Sequence, residues 1–152
     1  MRNPKSPSTT SKNSGASIIS QTAQYALRVA AELALRDRTT PVRATDLQKE
    51  TGVPPHYLSK VLRRLVEHGL LLSQRGHGGG FVLARPPRRI TVAQVLAAVD
   101  AMPEEGSCAF GWGRCNAAQP CPLHHTWQTL NEKFLEWARS ATFAESVAQS
   151  GG

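Results

Sequence analysis

The strongest constraint in this sequence is a helical stripe that stops at a glycine and runs straight into a glycine-rich turn. Leu58, Val61, Leu62, Leu65 and Val66 recur at i, i+3, i+4, i+7 and i+8, so one face of a helix must be buried along its whole length. Pro54 and Pro55 stand at its start, where a missing N–H is harmless, and Gly69 closes it. Two runs suited to extended backbone follow, Leu70–Arg75 and Phe81–Ala84, on either side of Gly76-His77-Gly78-Gly79-Gly80. They predict a β-hairpin. A shorter helix, near Ala44 to Thr51, ends at Gly52 a few residues before the stripe begins. Two helices across a short glycine-containing turn, then a hairpin, make a helix-turn-helix with a wing. The fold class is therefore mainly α: a winged helix-turn-helix with a small β-hairpin wing, plus a long C-terminal helix. A phosphate-cradling nucleotide loop is disfavoured, because no Gly-Lys-Ser/Thr follows the turn and a strand, not a helix, comes next.

The face of the stripe helix turned away from the core shows His56, Ser59, Lys60, Arg63 and Arg64. Charge supports a polyanion as its partner. From Met1 to Arg89 there are 15 basic and 5 acidic residues, a net of +10, whereas Ile90 to Gly152 holds 3 basic and 6 acidic, a net of −3. The first part has the electrostatic footprint of a nucleic-acid binder and the second does not.

Residues 1–17 read as a disordered basic tail with almost nothing to bury. Residues 18–100 form the winged module, whose first helix spans about Thr22 to Leu35 on Tyr25, Val29 and Leu33. Thr91 and Gln94 have the spacing of a capping box, with Ile90 and Val95 as its hydrophobic staple, and open a helix reaching about Asp100. Residues 101–124 are a cysteine-rich loop, and residues 125–152 a dimerisation helix and tail. Trp127, Leu130, Phe134 and Trp137 recur at 3, 4 and 3, continued by Ala141, a short a/d seam that fits the chain's own core or, in preference, a second copy of the chain. Thr142 and Glu145 mark a second cap and a short final helix after a bend.

Cys108, Cys115 and Cys121 lie within fourteen residues among Gly106, Gly111 and Gly113. Three thiolates in so short a loop can wrap one metal centre, and His124 can complete four ligands, with His125 as the fallback. Zinc and an iron–sulfur cluster both fit this set. The intervals of six and five residues exceed those of most zinc fingers and lean toward a cluster.

These residues resemble the IscR/NsrR family of winged-helix transcriptional regulators. The likeness rests on Tyr25-Ala26-Leu27-Arg28, Tyr57-Leu58, the run from Arg75-Gly76 through Gly78-Gly79-Gly80-Phe81 to Leu83-Ala84-Arg85, and Ile90-Thr91-Val92. It covers about Ile18 to Val147. The resemblance implies a homodimer on a pseudo-palindromic double-stranded operator, with recognition helices in successive major grooves. On that pattern His56, Ser59 and Lys60 meet base edges, and Arg63 and Arg64 hold phosphates. Arg75 enters the minor groove with His77 beside it, and Tyr57 is either an anchor whose hydroxyl reaches a phosphate or a residue of simple core packing. The resemblance also implies a [2Fe-2S] cluster on three Cys and a His just beyond the third, the position of His124; a [4Fe-4S] form is known among NsrR-like members. Some of those recruit an acidic residue from the first helix, where this chain has Gln24, a poor ligand. The six-residue first interval differs by one from the five of IscR and leaves cluster type open. The cluster would gate operator affinity in response to nitric oxide, redox state or iron supply.

The competing readings are a regulator of the same fold with a zinc or thiol redox site, and an electron-transfer or cluster-carrier protein. The wing glycines and the basic helix face speak against the carrier. An enzyme is not expected, since no nucleophile or carboxylate pair is positioned. Nor is a membrane span, since no apolar run approaches the roughly eighteen residues required. With no secretory signal and an odd cysteine count, a cytoplasmic protein is expected.

Overall fold

The computed structural model describes residues 18–150. The N-terminal tail expected over residues 1–17 lies outside them. The chain runs α1 (Gln21–Ala34), α2 (Ala44–Thr51), α3 (Pro55–Glu67), β1 (Leu71–Gln74), β2 (Gly80–Leu83), a single 3₁₀ turn (Pro87–Arg89), α4 (Val92–Ala98), α5 (His124–Ser140) and α6 (Ala144–Ser150). This is the winged helix-turn-helix with a long C-terminal helix.

Helix α1 is the hub. Its Ala26 and Val29 are wholly buried, with Ala30 and Leu33 nearly so, and it packs against α2, α3, α4 and α6. Small alanines on its buried face let those neighbours approach closely. Helix α3 turns Leu58, Val61, Leu62 and Leu65 inward, as the stripe requires, with Val66 at the margin. Gly52 takes the left-handed conformation (φ 70°) that ends α2 and starts the turn into α3.

The wing is an antiparallel pair in which Leu71 faces Leu83 and Gln74 faces Gly80. It has a third member that the hairpin pattern gives no sign of. Val42, in the α1–α2 connection, exchanges both backbone hydrogen bonds with Phe81, at 3.0 and 2.8 Å. Gly80 is what permits this approach: a Cβ there would stand 2.4 Å from the Val42 carbonyl oxygen. Arg38 adds a side-chain clamp, donating from Nε and Nη2 to the carbonyls of Leu83 and Ala84 at 3.3 and 3.0 Å.

The capping box on α4 is complete: Thr91 Oγ1 accepts from Gln94 N–H at 3.2 Å, and Gln94 Oε1 accepts from Thr91 N–H at 3.0 Å. Ile90 and Val95 are both buried beneath it. Helix α4 ends at Ala98, two residues before the expected Asp100, because Asp100 turns to φ 55° and Ala101 N–H returns to the Leu96 carbonyl. A Thr91–Thr142 bridge fastens the segment after α5 to the start of α4, ahead of the expected final helix.

Helix α5 differs most from expectation. It begins at His124, within a residue or two of the expected boundary. Its buried stripe is Asn131, Leu135 and Ala138, one helical step round from the aromatic seam. Trp127 and Phe134 are half-buried, whereas Leu130 and Trp137 stay 52% and 44% exposed. No helix among the described residues is long and apolar enough to cross a membrane.

Candidate nucleic-acid interface and cysteine centre

The outer face of α3 stands clear of the core. His56, Ser59, Lys60 and Arg63 are exposed along it, so the residue types able to meet bases and phosphates share one accessible surface. Ser59 Oγ donates to the Pro55 carbonyl at 3.1 Å, leaving its oxygen free to accept. Arg63 pairs loosely with Glu67 on its own helix, at 3.8 Å. Tyr57 is half-buried, edge-on to Tyr25 with ring centres 5.3 Å apart, and the His56 ring lies 4.3 Å from it. Its ring thus serves packing between α1 and α3. Arg75 and His77 are exposed in the wing turn. Helix face and wing therefore offer a basic surface, and Arg38 and Val42 hold the wing to the body that carries the helix.

Arg64 stands apart. It is the basic residue of α3 nearest the buried stripe, and its Nη2 lies 2.9 Å from Asp100 Oδ2 at the end of α4. The link joins positions 36 residues apart, and no local pattern signals it.

The cysteine loop is a small structure of its own. Ser107 bridges Arg114, Cys108 N–H donates to the Gly113 carbonyl at 2.9 Å, and Cys115 N–H to the Gly106 carbonyl at 2.7 Å. Gly106, Gly111 and Gly113 all take positive φ, which lets the chain double back within eight residues. The three cysteines share this one loop, and the Cys115 thiol donates to the Ser107 carbonyl at 3.5 Å. The backbone N–H of Phe110 holds the Cys108 pKa below the usual thiol range against the opposing effect of burial, with lesser help from the N–H of Trp112 and from Cys115 and Cys121. All three cysteines are free and half-buried. Among the described residues, no three Cys, His, Asp or Glu side chains are already set around a common metal position. His124 meets the loop through its backbone, N–H to the Cys121 carbonyl at 3.0 Å, while its ring stands edge-on to His125.

Two contacts dock the loop on α5. Trp127 Nε1 donates to the Ser107 carbonyl at 2.7 Å, and the Asn131 amide to the Glu104 carbonyl at 3.3 Å. Trp127, expected in the seam, is therefore the loop's anchor. Asn131 has no place in an apolar-periodicity argument, which is why sequence reasoning passed over it. At the loop's tip Phe110 and Trp112 stack at 4.7 Å, with Trp112 76% exposed.

Known proteins share this chain's sequence pattern and fold. The Rrf2 profile, described as an iron-dependent transcriptional regulator, matches residues 19–149. The HTH-type transcriptional regulator IscR of Klebsiella pneumoniae (strain 342) is 32% identical over 124 residues, 82% of this chain and 76% of that protein. IscR of Xenorhabdus nematophila is 33% identical over the same length, 75% of its own chain. Among solved structures, CymR, the global cysteine regulator of B. subtilis, superposes with a TM-score of 0.73 at 21% identity, covering 88% of this chain and 98% of its own. IscR of T. potens follows with a TM-score of 0.70 at 22% identity, covering 87% of each chain. Those two likenesses speak for the winged fold. The extent of the profile match and the identity to IscR go further: this chain belongs to the Rrf2 family of transcriptional regulators.

Proposed function

We propose that this protein is a homodimeric, DNA-binding regulator whose operator affinity is set by an iron–sulfur cluster held in the cysteine loop. The observation that carries the reading is three free, half-buried cysteines in one short loop, closed by the Ser107–Arg114 bridge, with backbone N–H groups directed at the Cys108 sulfur. Donors aimed at a sulfur favour its thiolate form, the form that binds metal. The residues present thus fit a thiolate-ligated group. Cys108, Cys115 and Cys121 would hold it, with His124, at the helix start beside Cys121, as fourth ligand and His125 as its substitute. When bound, a [2Fe-2S] or [4Fe-4S] cluster supplies a centre that oxidants, nitric oxide or iron shortage can alter.

The chain's own residues carry the consequence. Trp127 and Asn131 tie the loop to α5, and α5 packs on α4 beside α3. Closing the loop on a ligand fixes the start of α5, and with it the angle between the reading heads of two copies joined along α5. His56, Ser59 and Lys60 would read base edges in the major groove, Arg63 and Arg64 would grip phosphates, and Arg75 with His77 would enter the adjoining minor groove. The relatives named HTH-type regulators support the DNA partner.

The three neighbouring thiols also suit a thiol-based redox site of the same fold, in which two of them form a disulfide. Anaerobic purification followed by absorption and Mössbauer spectroscopy separates the two. A visible cluster spectrum lost in Cys108→Ser is the expected result. A colourless protein with unchanged duplex affinity after chelation and after thiol oxidation sinks both. The DNA assignment is tested by Lys60→Ala and Arg75→Ala, each expected to weaken operator binding by about 1–3 kcal/mol.

A further inference from the structure

Arg64 and Asp100 form a contact that the reading above does not use. Arg64 projects from the flank of α3, its side chain 42% exposed against 69% for Arg63, and its Nη2 meets Asp100 Oδ2 at 2.9 Å. Asp100 is the one residue other than glycine with positive φ among the described residues, at 55°. It sits where α4 closes on itself, with Asp100 N–H on the Ala97 carbonyl and Ala101 N–H on that of Leu96. Such a turn ordinarily takes glycine. What a side chain adds here is a carboxylate placed against a guanidinium of the DNA-facing helix.

A carboxylate and a phosphate present the same pair of acceptor oxygens to arginine. We propose that Asp100 acts as an internal stand-in for a DNA phosphate, occupying Arg64 in the free protein and lowering its affinity for DNA. The proposal rests on the reading that α3 faces the duplex. The pair is open to solvent, with Asp100 71% exposed, so it is weak enough for a true phosphate to displace. Its carboxylate also remains as a negative charge on the flank of the basic face. Both effects oppose binding. Asp100 is thus a brake on the affinity of α3, built into the turn that opens the segment leading to the cysteines.

The test uses Asp100→Gly, which keeps the left-handed turn and removes the carboxylate, with Asp100→Asn as the isosteric control. The probe is a duplex of random sequence, because phosphate contacts are blind to sequence. Both variants are expected to bind about threefold more tightly at low salt, with the slope of log affinity on log salt steeper by about 0.9, one added phosphate contact. In an Arg64→Ala background most of the gain should vanish, leaving only the part due to the carboxylate's own charge. Unchanged or weaker binding by the two variants overturns the proposal, and so does an equal gain without Arg64, which would mark a general charge effect. Lys60→Ala separates the layers. If it weakens duplex binding while Asp100→Gly does not tighten it, the brake alone is wrong; if it has no effect, α3 is not the contact face and both readings fall.

Discussion

Asp37 shows how a single side chain can organise a connection. Its carboxylate accepts from the Thr39 hydroxyl at 2.6 Å and from the Thr39 N–H at 2.9 Å, and these bonds, the hydroxyl's first, hold its pKa below the ordinary carboxylate range. Protonation must give them up. The bonds therefore steady the α1–α2 loop at any pH above that range, and the contribution disappears as pH falls through the lowered value in the folded protein. A carboxyl titration followed by NMR should place Asp37 below its exposed neighbours, and Thr39→Ala should return it toward them. Gly80 sets the opposite kind of limit. With the Val42 carbonyl 2.4 Å from the site of an added Cβ, Gly80→Ala must push the wing off the α1–α2 connection. A loss of about 2 kcal/mol or more in thermal unfolding is expected.

Among the elements, those whose logic is local were legible in the sequence. The α3 stripe, Gly52 at the end of α2, the hairpin around its glycines and the Thr91–Gln94 box each depend on residues within a few positions of one another. Helix α5 was legible in place but not in facing. Its aromatics advertise a seam, yet the stripe that packs on the body is Asn131, Leu135 and Ala138, chosen by the cysteine loop and α4. A helix with two apolar edges does not declare from sequence which edge is inward. Leu135→Ala, at a site 4% exposed, should cost about 3 kcal/mol of stability, whereas Leu130→Ala, half exposed, should cost well under 1 kcal/mol in the monomer. Urea unfolding of the two variants checks the assignment. The cysteine loop was legible in the same partial way. Cysteine spacing marked the loop as a unit, while the Trp127–Ser107 bond, spanning twenty residues, had no signal to announce it.

At the scale of the whole molecule the charge division becomes a division of surface. The basic first part supplies the outer face of α3 and the wing, and the acidic second part supplies the loop and α5. Leu130 and Trp137 remain as an exposed apolar edge on that second part. If this edge joins two copies, Trp137→Glu should convert a dimer to a monomer in sedimentation equilibrium without changing far-ultraviolet circular dichroism. A wild-type protein that sediments as a monomer, or a variant that stays dimeric, would place the seam elsewhere. The bond from the Trp127 indole to the Ser107 carbonyl has one more consequence. It makes the protein its own optical gauge: Trp127 is tethered and half-covered, while Trp112 at the loop tip stands open to solvent. With Trp137, itself 44% exposed, replaced by Phe, iodide should quench the emission of Trp112 far more readily than that of Trp127. Any event that detaches the loop would then expose Trp127 and register as a red shift, with no dye or label attached.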